Sequence, residues 1–364
     1  MSYPHPNNKR PAEPLPALTS LRFLAALAVV LFHVPYVLPA SVGLVPLGQG
    51  ALGVSFFFVL SGFILRHAHA PEDFRPLPFY RRRAARVLPL HYATLLVWIW
   101  LFFASWGNSL VEKINSGVAN FLAIHALFSG HLFTLGYNAV SWSISVEIIF
   151  YALFPLLLAG RRALHLFIAC ALVVVLMPPG VAVALDQAFT SFFHFHPAAR
   201  LLEFSAGMAL HALWRHLRPT EGVATVVQLG AILLLLVLVP ASAGLPAHLR
   251  NLVLLAPFGL LILGFAWHGP LTRLLSRPLS VLLGEASFAL YMTHHMLFRL
   301  LDPWLAGLGA AVALPVAVAA AVLLSIAVFL LFERPVRNLL NRPASPGHSR
   351  VLAATPVPQG GGRG

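Results

Sequence analysis

The first long apolar stretch of the sequence, Leu18 to Val37, contains two ionisable side chains, Arg22 and His33. Their spacing is three helical turns to within about 20°, so on a helix both lie on one face, about 16 Å apart along the axis. An ionisable group inside a membrane helix costs several kcal/mol unless it faces protein or water. Each residue alone also fits a structural role, an arginine that reaches the lipid headgroups or a histidine bonded to a neighbouring helix. Their alignment favours a functional site.

A second group of polar residues lies in the segment Trp142 to Glu147. Ser143 and Glu147 are four residues apart and therefore share a helix face. A carboxylate in an apolar helix needs a partner, and a histidine or an arginine is the obvious type. A carboxylate beside an imidazole raises its basicity and fixes its tautomer, as a general base requires. A structural pair between two helices is the alternative.

Four arginines, Arg81, Arg82, Arg83 and Arg86, come shortly before Pro89. A basic run at the cytoplasmic end of a helix is most often a topology anchor that binds anionic lipid. The same guanidinium groups would also bind phosphates through forked, charged donors. From the spacing alone the anchor is favoured.

A further segment with polar side chains runs from Ser287 to His295 and contains Tyr291 and His294. His294 is a candidate for a second base, although a tyrosine and a histidine on a bundle face are more often structural. The single cysteine, Cys170, cannot form an intrachain disulfide or build a cysteine zinc site. Two histidine pairs have a spacing of two residues, which points them apart on a helix, and we predict no metal site from them.

The composition excludes a soluble protein. The chain has 364 residues, of which 59% are hydrophobic and 10% charged. So few charges over this length predict an all-α polytopic membrane protein. The net charge of +13 would suit nucleic acid, but the basic residues lie in short loops between apolar segments and thus indicate topology instead.

We predict a bundle of about ten transmembrane helices with both termini cytoplasmic. The predicted spans are 18–37, 50–65, 87–106, 140–159, 164–185, 197–213, 223–239, 252–267, 281–301 and 310–332. Residues 118–135, interrupted by His125, Gly130 and His131, are expected to form a re-entrant or half helix. This arrangement leaves nineteen of the twenty-four Lys and Arg residues on one side, in agreement with the positive-inside rule. Residues 1–16 and 343–364 are expected to be disordered cytoplasmic tails that flank a membrane domain at 17–342.

Six blocks occur in order along the chain: Arg22 with His33, Gly53 to Phe63, Tyr80 to Pro89, Trp142 to Glu147, Tyr291 with His294, and Phe332 to Pro335. Together they resemble the membrane-bound acyltransferase-3 family. That family includes O-antigen, exopolysaccharide and Nod-factor acetylases and macrolide acyltransferases. No single block is specific, but six in sequence make a strong match.

The resemblance implies an O-acyltransferase that moves an acyl group, usually acetyl, from cytoplasmic acyl-CoA to a hydroxyl, often of a glycan at the far membrane face. It implies essential roles for Arg22 and His33 and a catalytic role for Glu147. We expect the arginine block (Arg81, Arg82, Arg83 and Arg86) to hold the phosphates of acetyl-CoA or another acyl-CoA, and Arg22 to meet the pantetheine arm or a phosphate. Further candidate site residues are Ser143, Ser61, Tyr291 and His294.

We expect His33 to act as general base on the acceptor hydroxyl or as transient acyl carrier, oriented by Glu147. The expected partners are acyl-CoA, a glycan or lipid-linked saccharide and the lipid bilayer, with no nucleic acid. Some members of the family carry a fused periplasmic esterase-like domain. This chain ends soon after Pro335, so we expect a stand-alone module in the bacterial inner membrane, with any such domain on a separate protein. The rival function is a transporter or polysaccharide flippase.

Overall fold

The structure, a computed structural model, describes residues 13–37, 49–102, 109–189, 191–305 and 307–342. All regular elements in these ranges are helical. In chain order the α-helices are α1 (Pro16–Val37), α2 (Leu52–Ala68), α3 (Pro76–Phe102), α4 (Leu110–Phe121), α5 (His131–Thr134), α6 (Trp142–Leu158), α7 (Arg162–Leu176), α8 (Pro179–Ala188), α9 (Phe192–Phe195), α10 (Pro197–Trp214), α11 (Glu221–Ala241), α12 (Ala247–Ala266), α13 (Pro270–Leu275), α14 (Pro278–Leu305), α15 (Ala310–Val328) and α16 (Arg334–Leu340). A π-helical turn, Phe329–Glu333, joins α15 to α16. Most of each predicted tail lies outside the described residues.

Five helical segments among the described residues are long and apolar enough to cross a membrane. They are Pro16–Val34, Pro76–Phe102, Glu221–Gly244, Ala247–Ala266 and Ala310–Leu340. The pair α7 and α8 makes a sixth if it is counted as one span. The prediction of ten spans is therefore not confirmed, and the cytoplasmic side of both termini stays a prediction.

The difference in span count has a physical basis. The apolar helices α2 and α6 are shorter, with 17 residues each. Helices α10 and α14 carry buried polar side chains, among them Arg200, Glu203, His294 and His295. Helices that face other helices can carry such groups, because the cost of a polar side chain falls when it faces protein instead of lipid.

The predicted span 164–185 is broken at Pro178-Pro179. Helices α7 and α8 meet there at an angle of 107°. Pro178 has an extended backbone, which is the conformation that a following proline favours. The predicted span 164–185 is therefore two helices at a steep angle.

The arginine block lies within helix α3, and the prediction of a basic loop that ends before a span at 87 is wrong. Helix α3 begins at Pro76 and continues through Pro89. Proline is tolerated in the first turn of a helix, and arginine and alanine between the two prolines are strong helix formers. Pro89 removes one backbone hydrogen bond without ending the helix. Arg83 and Arg86 therefore come to lie on one helix face.

The segment expected to form a single half helix at 118–135 is three short pieces. Helix α4 begins earlier, at Leu110, where Ser109 and Glu112 form a capping box. A 3₁₀ turn at His125–Leu127 and the four-residue α5 follow. His125 and the nearby Asn120 are buried, so the polar residues that interrupt the apolar pattern face protein.

Close contacts between helices hold the bundle together. Helix α1 packs chiefly against α14, and α2 packs chiefly against α10. A Cβ atom added to Gly284 of α14 would lie 2.1 Å from the Thr19 carbonyl oxygen, and one added to Gly207 of α10 would lie 1.9 Å from the Val59 carbonyl oxygen. In lipid, where helix association depends on van der Waals contact, small residues at such crossings allow the backbones to meet.

The α2–α10 contact can be tested with a matched pair of alanine substitutions. We expect Gly207→Ala to lower the free energy of unfolding by about 1–3 kcal/mol, because the added methyl group meets backbone that has no room to move. Gly230→Ala in α11 is the control, since nothing lies within 4 Å of its added Cβ, and alanine there should be neutral or stabilising by up to about 1 kcal/mol. Thermal unfolding in detergent measures both, and equal melting temperatures would contradict the packing described.

Candidate active site

A cavity of about 100 Å³ lies between helices α1, α2, α3, α6 and α14. Four charged side chains line it: Arg22, Arg83, Arg86 and Glu147. Five hydroxyl groups also line it, from Ser61, Ser143, Ser287, Tyr151 and Tyr291. The rest of the wall is mostly aromatic and aliphatic. Among the described residues no group of three or more His, Cys, Asp or Glu is placed to hold a metal ion.

The cavity has more positive than negative charge. Three guanidinium groups face one carboxylate, and the described residues give Arg22 and Arg86 no hydrogen bond or salt bridge. A charged group removed from bulk water is strongly unfavourable without a partner. These two guanidinium groups are therefore suited to an anionic ligand.

Arg83 lies against aromatic rings. Its guanidinium carbon is 5.8 Å from the ring centre of Phe79 and 5.9 Å from that of Tyr151. Its Nε atom is buried and has no hydrogen-bond partner in the part of the chain that the structure describes. Arg81 and Arg82 are exposed and do not line the cavity. The structure thus divides the predicted arginine set into two residues in the cavity and two outside it.

Glu147 accepts a hydrogen bond from the hydroxyl group of Tyr151, four residues further along α6. No hydrogen bond between described residues connects Glu147 to His33. The structure therefore does not form the Glu147–His33 pair expected from the sequence. The reason is the distance between the two along the bundle. Glu147 belongs to the end of the site that holds Arg22 and Arg86, whereas His33 is three turns of α1 away from Arg22.

His33 instead faces two histidines of α14. Its Nδ1 atom is 3.1 Å from Nε2 of His294 and 2.9 Å from the carbonyl oxygen of Val29. The ring of His295 packs edge-on against it, with 5.7 Å between ring centres. His33 is not among the residues that line the cavity. The connection is Tyr291, which lines the cavity and has its ring centre 6.2 Å from that of His294.

The remaining candidates have structural contacts as well as access to the cavity. The hydroxyl groups of Ser143 and Tyr291 both donate to the carbonyl oxygen of Val140, at 3.2 Å and 2.8 Å. This carbonyl precedes the first turn of α6 and connects α6 to α14. Ser61 lies on the cavity wall contributed by α2.

The sequence analysis missed two polar contacts near the site. Tyr151, the partner of Glu147, was detectable from its spacing of four residues. Arg200 and Glu203 form a fully buried ion pair, with 2.6 Å between Arg200 Nη1 and Glu203 Oε1, and Ser55 of α2 accepts a second bond from the same nitrogen. Opposite charges three residues apart in an apolar helix are the signal that would have identified this pair.

Comparison with known proteins agrees with the resemblance seen in the sequence. The acyltransferase MdmB of Streptomyces mycarofaciens is 31% identical over 318 residues, which cover 78% of this chain and 79% of that protein. The exopolysaccharide production protein ExoZ of Rhizobium meliloti (strain 1021) is 30% identical over 298 residues, covering 79% of this chain and 89% of that protein.

A third relative, the putative peptidoglycan O-acetyltransferase YrhL of Bacillus subtilis (strain 168), is 25% identical over 230 residues, covering 55% of this chain and 33% of that protein. No solved structure matches the chain significantly. The family model described as an acyltransferase domain, Acyl_transf_3, matches residues 15–334. This range contains every residue of the cavity and the His33–His294 pair. The chain therefore belongs to the Acyl_transf_3 family and is an integral-membrane acyltransferase.

Proposed function

We propose that the protein transfers an acyl group, most simply acetyl, from acyl-CoA to a hydroxyl group of a glycan or other exported acceptor. The observation that carries this proposal is the cavity in which Arg22 and Arg86 have no partner among the described residues. Phosphate groups are the natural partners of such guanidinium groups, which bind them through forked, charged hydrogen bonds. Coenzyme A carries several phosphates and a thin pantetheine arm, and the cavity combines cations with an apolar wall.

The cavity and His33 have separate tasks in this scheme. Arg22, Arg83 and Arg86 would hold the anionic part of the donor, and the acyl end would extend past Tyr291 towards His33. There the acceptor hydroxyl gives its proton to His33, its oxygen forms a bond to the acyl carbon, and the carbon–sulfur bond of the thioester breaks. The proton then passes from His33 to the thiolate of coenzyme A, so charge and atoms balance. The other route forms a transient acyl group on His33. Nε2 of His33 attacks the thioester and the carbon–sulfur bond breaks; the acceptor oxygen then bonds to the acyl carbon, the bond from that carbon to nitrogen breaks, and the hydroxyl proton passes to the thiolate of coenzyme A.

The names of the relatives guide the choice of acceptor. One is an exopolysaccharide production protein and another a putative peptidoglycan O-acetyltransferase, so we propose a hydroxyl group of a cell-envelope glycan or its lipid-linked precursor. Such acceptors are outside the cytoplasm, whereas acyl-CoA is inside. We therefore place the enzyme in the bacterial inner membrane, with a separate periplasmic esterase-like protein as its partner where one is needed.

The proposal is tested with the purified protein in vesicles, radiolabelled acetyl-CoA and a lipid-linked glycan fraction. We expect label to accumulate on the glycan with release of free coenzyme A. Label that stays on acetyl-CoA while glycan crosses the bilayer would contradict the proposal and favour a flippase. A preparation with acetyl-CoA alone distinguishes the two routes, because only the carrier route gives labelled protein.

The role of His33 is tested by His33→Ala. We expect transfer to fall by at least about 100-fold, because general-base catalysis contributes on that order or more. Membrane insertion and the melting temperature should remain close to those of the wild type. His165→Ala is the control, since His165 is an exposed histidine of α7 and its variant should keep full activity. Full activity in His33→Ala would exclude this residue from the reaction.

The role of the cavity arginines is tested by comparing Arg86→Gln with Arg82→Gln. We expect Arg86→Gln to raise KM for acyl-CoA by about tenfold or more, the effect of one lost hydrogen bond between charged groups. The same substitution should change the unfolding temperature little, because no described residue forms a hydrogen bond or salt bridge with Arg86, and its electrostatic interaction with Glu333 offsets part of the cost of burying it. Arg82 is exposed, and its variant should match the wild type in both measurements. An unchanged KM in Arg86→Gln would contradict the assignment of this arginine to the donor.

A further inference from the structure

His294 contacts His33 through its Nε2 atom and two backbone carbonyls through its Nδ1 atom. The His294 side chain is fully buried. Its Nδ1 atom is 2.8 Å from the carbonyl oxygen of Tyr291 and 3.1 Å from that of Leu290. A carbonyl oxygen can only accept a hydrogen bond, so Nδ1 of His294 must carry a hydrogen. In a neutral imidazole the other nitrogen, Nε2, is then an acceptor.

The acceptor at Nε2 of His294 in turn helps to determine the tautomer of His33. The Nδ1 atom of His33 is 3.1 Å from Nε2 of His294 and 2.9 Å from the Val29 carbonyl oxygen. Both of these neighbours are acceptors. The hydrogen of a neutral His33 therefore sits on Nδ1, and its Nε2 atom keeps a free lone pair. That is the tautomer in which Nε2 can take a proton or attack a carbonyl carbon.

We infer that His294 is a positioning residue that helps to hold neutral His33 in its reactive tautomer. When His33 takes a proton, His294 accepts a hydrogen bond from the imidazolium that forms. This inference rests on the proposed function, because it assigns His294 to the same proton transfer. The more usual third group behind a catalytic histidine is a carboxylate. Here a second imidazole, itself oriented by two carbonyls of its own helix, occupies that place.

The neighbouring histidine shows why the contact is specific to His294. His295 also packs against His33, but edge-on and at 5.7 Å between ring centres. Its ring stacks on Trp98, and among the described residues its buried Nδ1 atom has no hydrogen-bond partner. The contact of His295 with His33 is therefore the packing of two rings. The two adjacent histidines of α14 thus have different relations to His33.

The tautomer is tested directly by ¹⁵N NMR of histidine-labelled protein in lipid nanodiscs, at mildly alkaline pH where histidine is neutral. The protein has 17 histidines, so the signals of His33 are identified by their loss in His33→Gln. We expect the Nδ1–H tautomer for His33 in the wild type. The Nε2–H tautomer would overturn the inference. This measurement does not require any substrate, so its outcome is independent of whether acyl transfer is the reaction.

Two substitutions of His294 distinguish its role as a hydrogen-bond acceptor from its role in packing. In His294→Gln the amide oxygen reaches the position of Nε2 and can still accept from His33, whereas the shorter side chain in His294→Asn reaches only the position of Nδ1. We expect His294→Asn to lower kcat at least about tenfold with an unchanged KM for acyl-CoA, and His294→Gln to recover most of that loss. In His294→Asn the ¹⁵N spectrum should still show His33 as the Nδ1–H tautomer, because the Val29 carbonyl oxygen remains 2.9 Å from Nδ1, so a loss of kcat would come from the missing second acceptor.

Equal losses in the two variants, with unchanged melting temperatures, would assign His294 to packing and overturn its role as an acceptor. If both variants melt early, the wild-type tautomer remains the deciding measurement. If the wild-type protein transfers no acyl group, the proposed function fails. The ¹⁵N spectrum would still show whether His33 is the Nδ1–H tautomer. The two failures are therefore distinguishable.

Discussion

The constraint on which the site depends is the cost of burying a guanidinium group without a partner. Arg22 and Arg86 line a cavity inside an apolar bundle, and the buried Glu333 interacts with both electrostatically. The one carboxylate in the cavity lining, on Glu147, is bonded to Tyr151. Three guanidinium groups that are only partly compensated destabilise the empty protein. Such positive charge is retained most readily where a ligand supplies negative charge. The cavity arginines therefore support the proposed polyanionic donor more strongly than any one sequence motif does.

Helix packing determines where that charge can be held. Gly284 lets α14 approach α1 at Thr19, and Gly207 lets α10 approach α2 at Val59. In lipid such contacts replace the hydrophobic driving force that water provides for soluble proteins. Because α1 and α14 are held closely together, two ionisable residues of α1 face α14 and the cavity instead of lipid. The same close packing brings His33 within hydrogen-bond distance of His294, a residue 261 positions away in the sequence.

The site therefore has two parts with different chemistry. One part is the charged cavity, which favours an anion and has an apolar wall. The other is a pair of imidazoles, of which His294 is fully buried and His33 partly buried, connected to the cavity through Tyr291. This separation suits the proposed reaction, in which the two substrates arrive from opposite sides of a membrane. In that proposal the general base needs no carboxylate, since a neutral imidazole can both fix a tautomer and share a proton.

The sequence by itself determined the membrane character, the family and most of the charged and hydroxyl-bearing residues in the cavity. Composition and hydropathy act locally, and the spacing of Arg22 and His33 or of Ser143 and Glu147 follows from the helical repeat alone. The sequence did not determine the span count, because buried polar residues on α10 and α14 reduce the apolar signal of helices that face other helices. It also did not determine which charged groups meet. Only the tertiary structure decided that Glu147 bonds to Tyr151, that Arg83 and Arg86 face the cavity while Arg81 and Arg82 do not, and that His294 is the partner of His33. Those contacts depend on how helices distant in the chain cross and rotate, and no local pattern encodes that information.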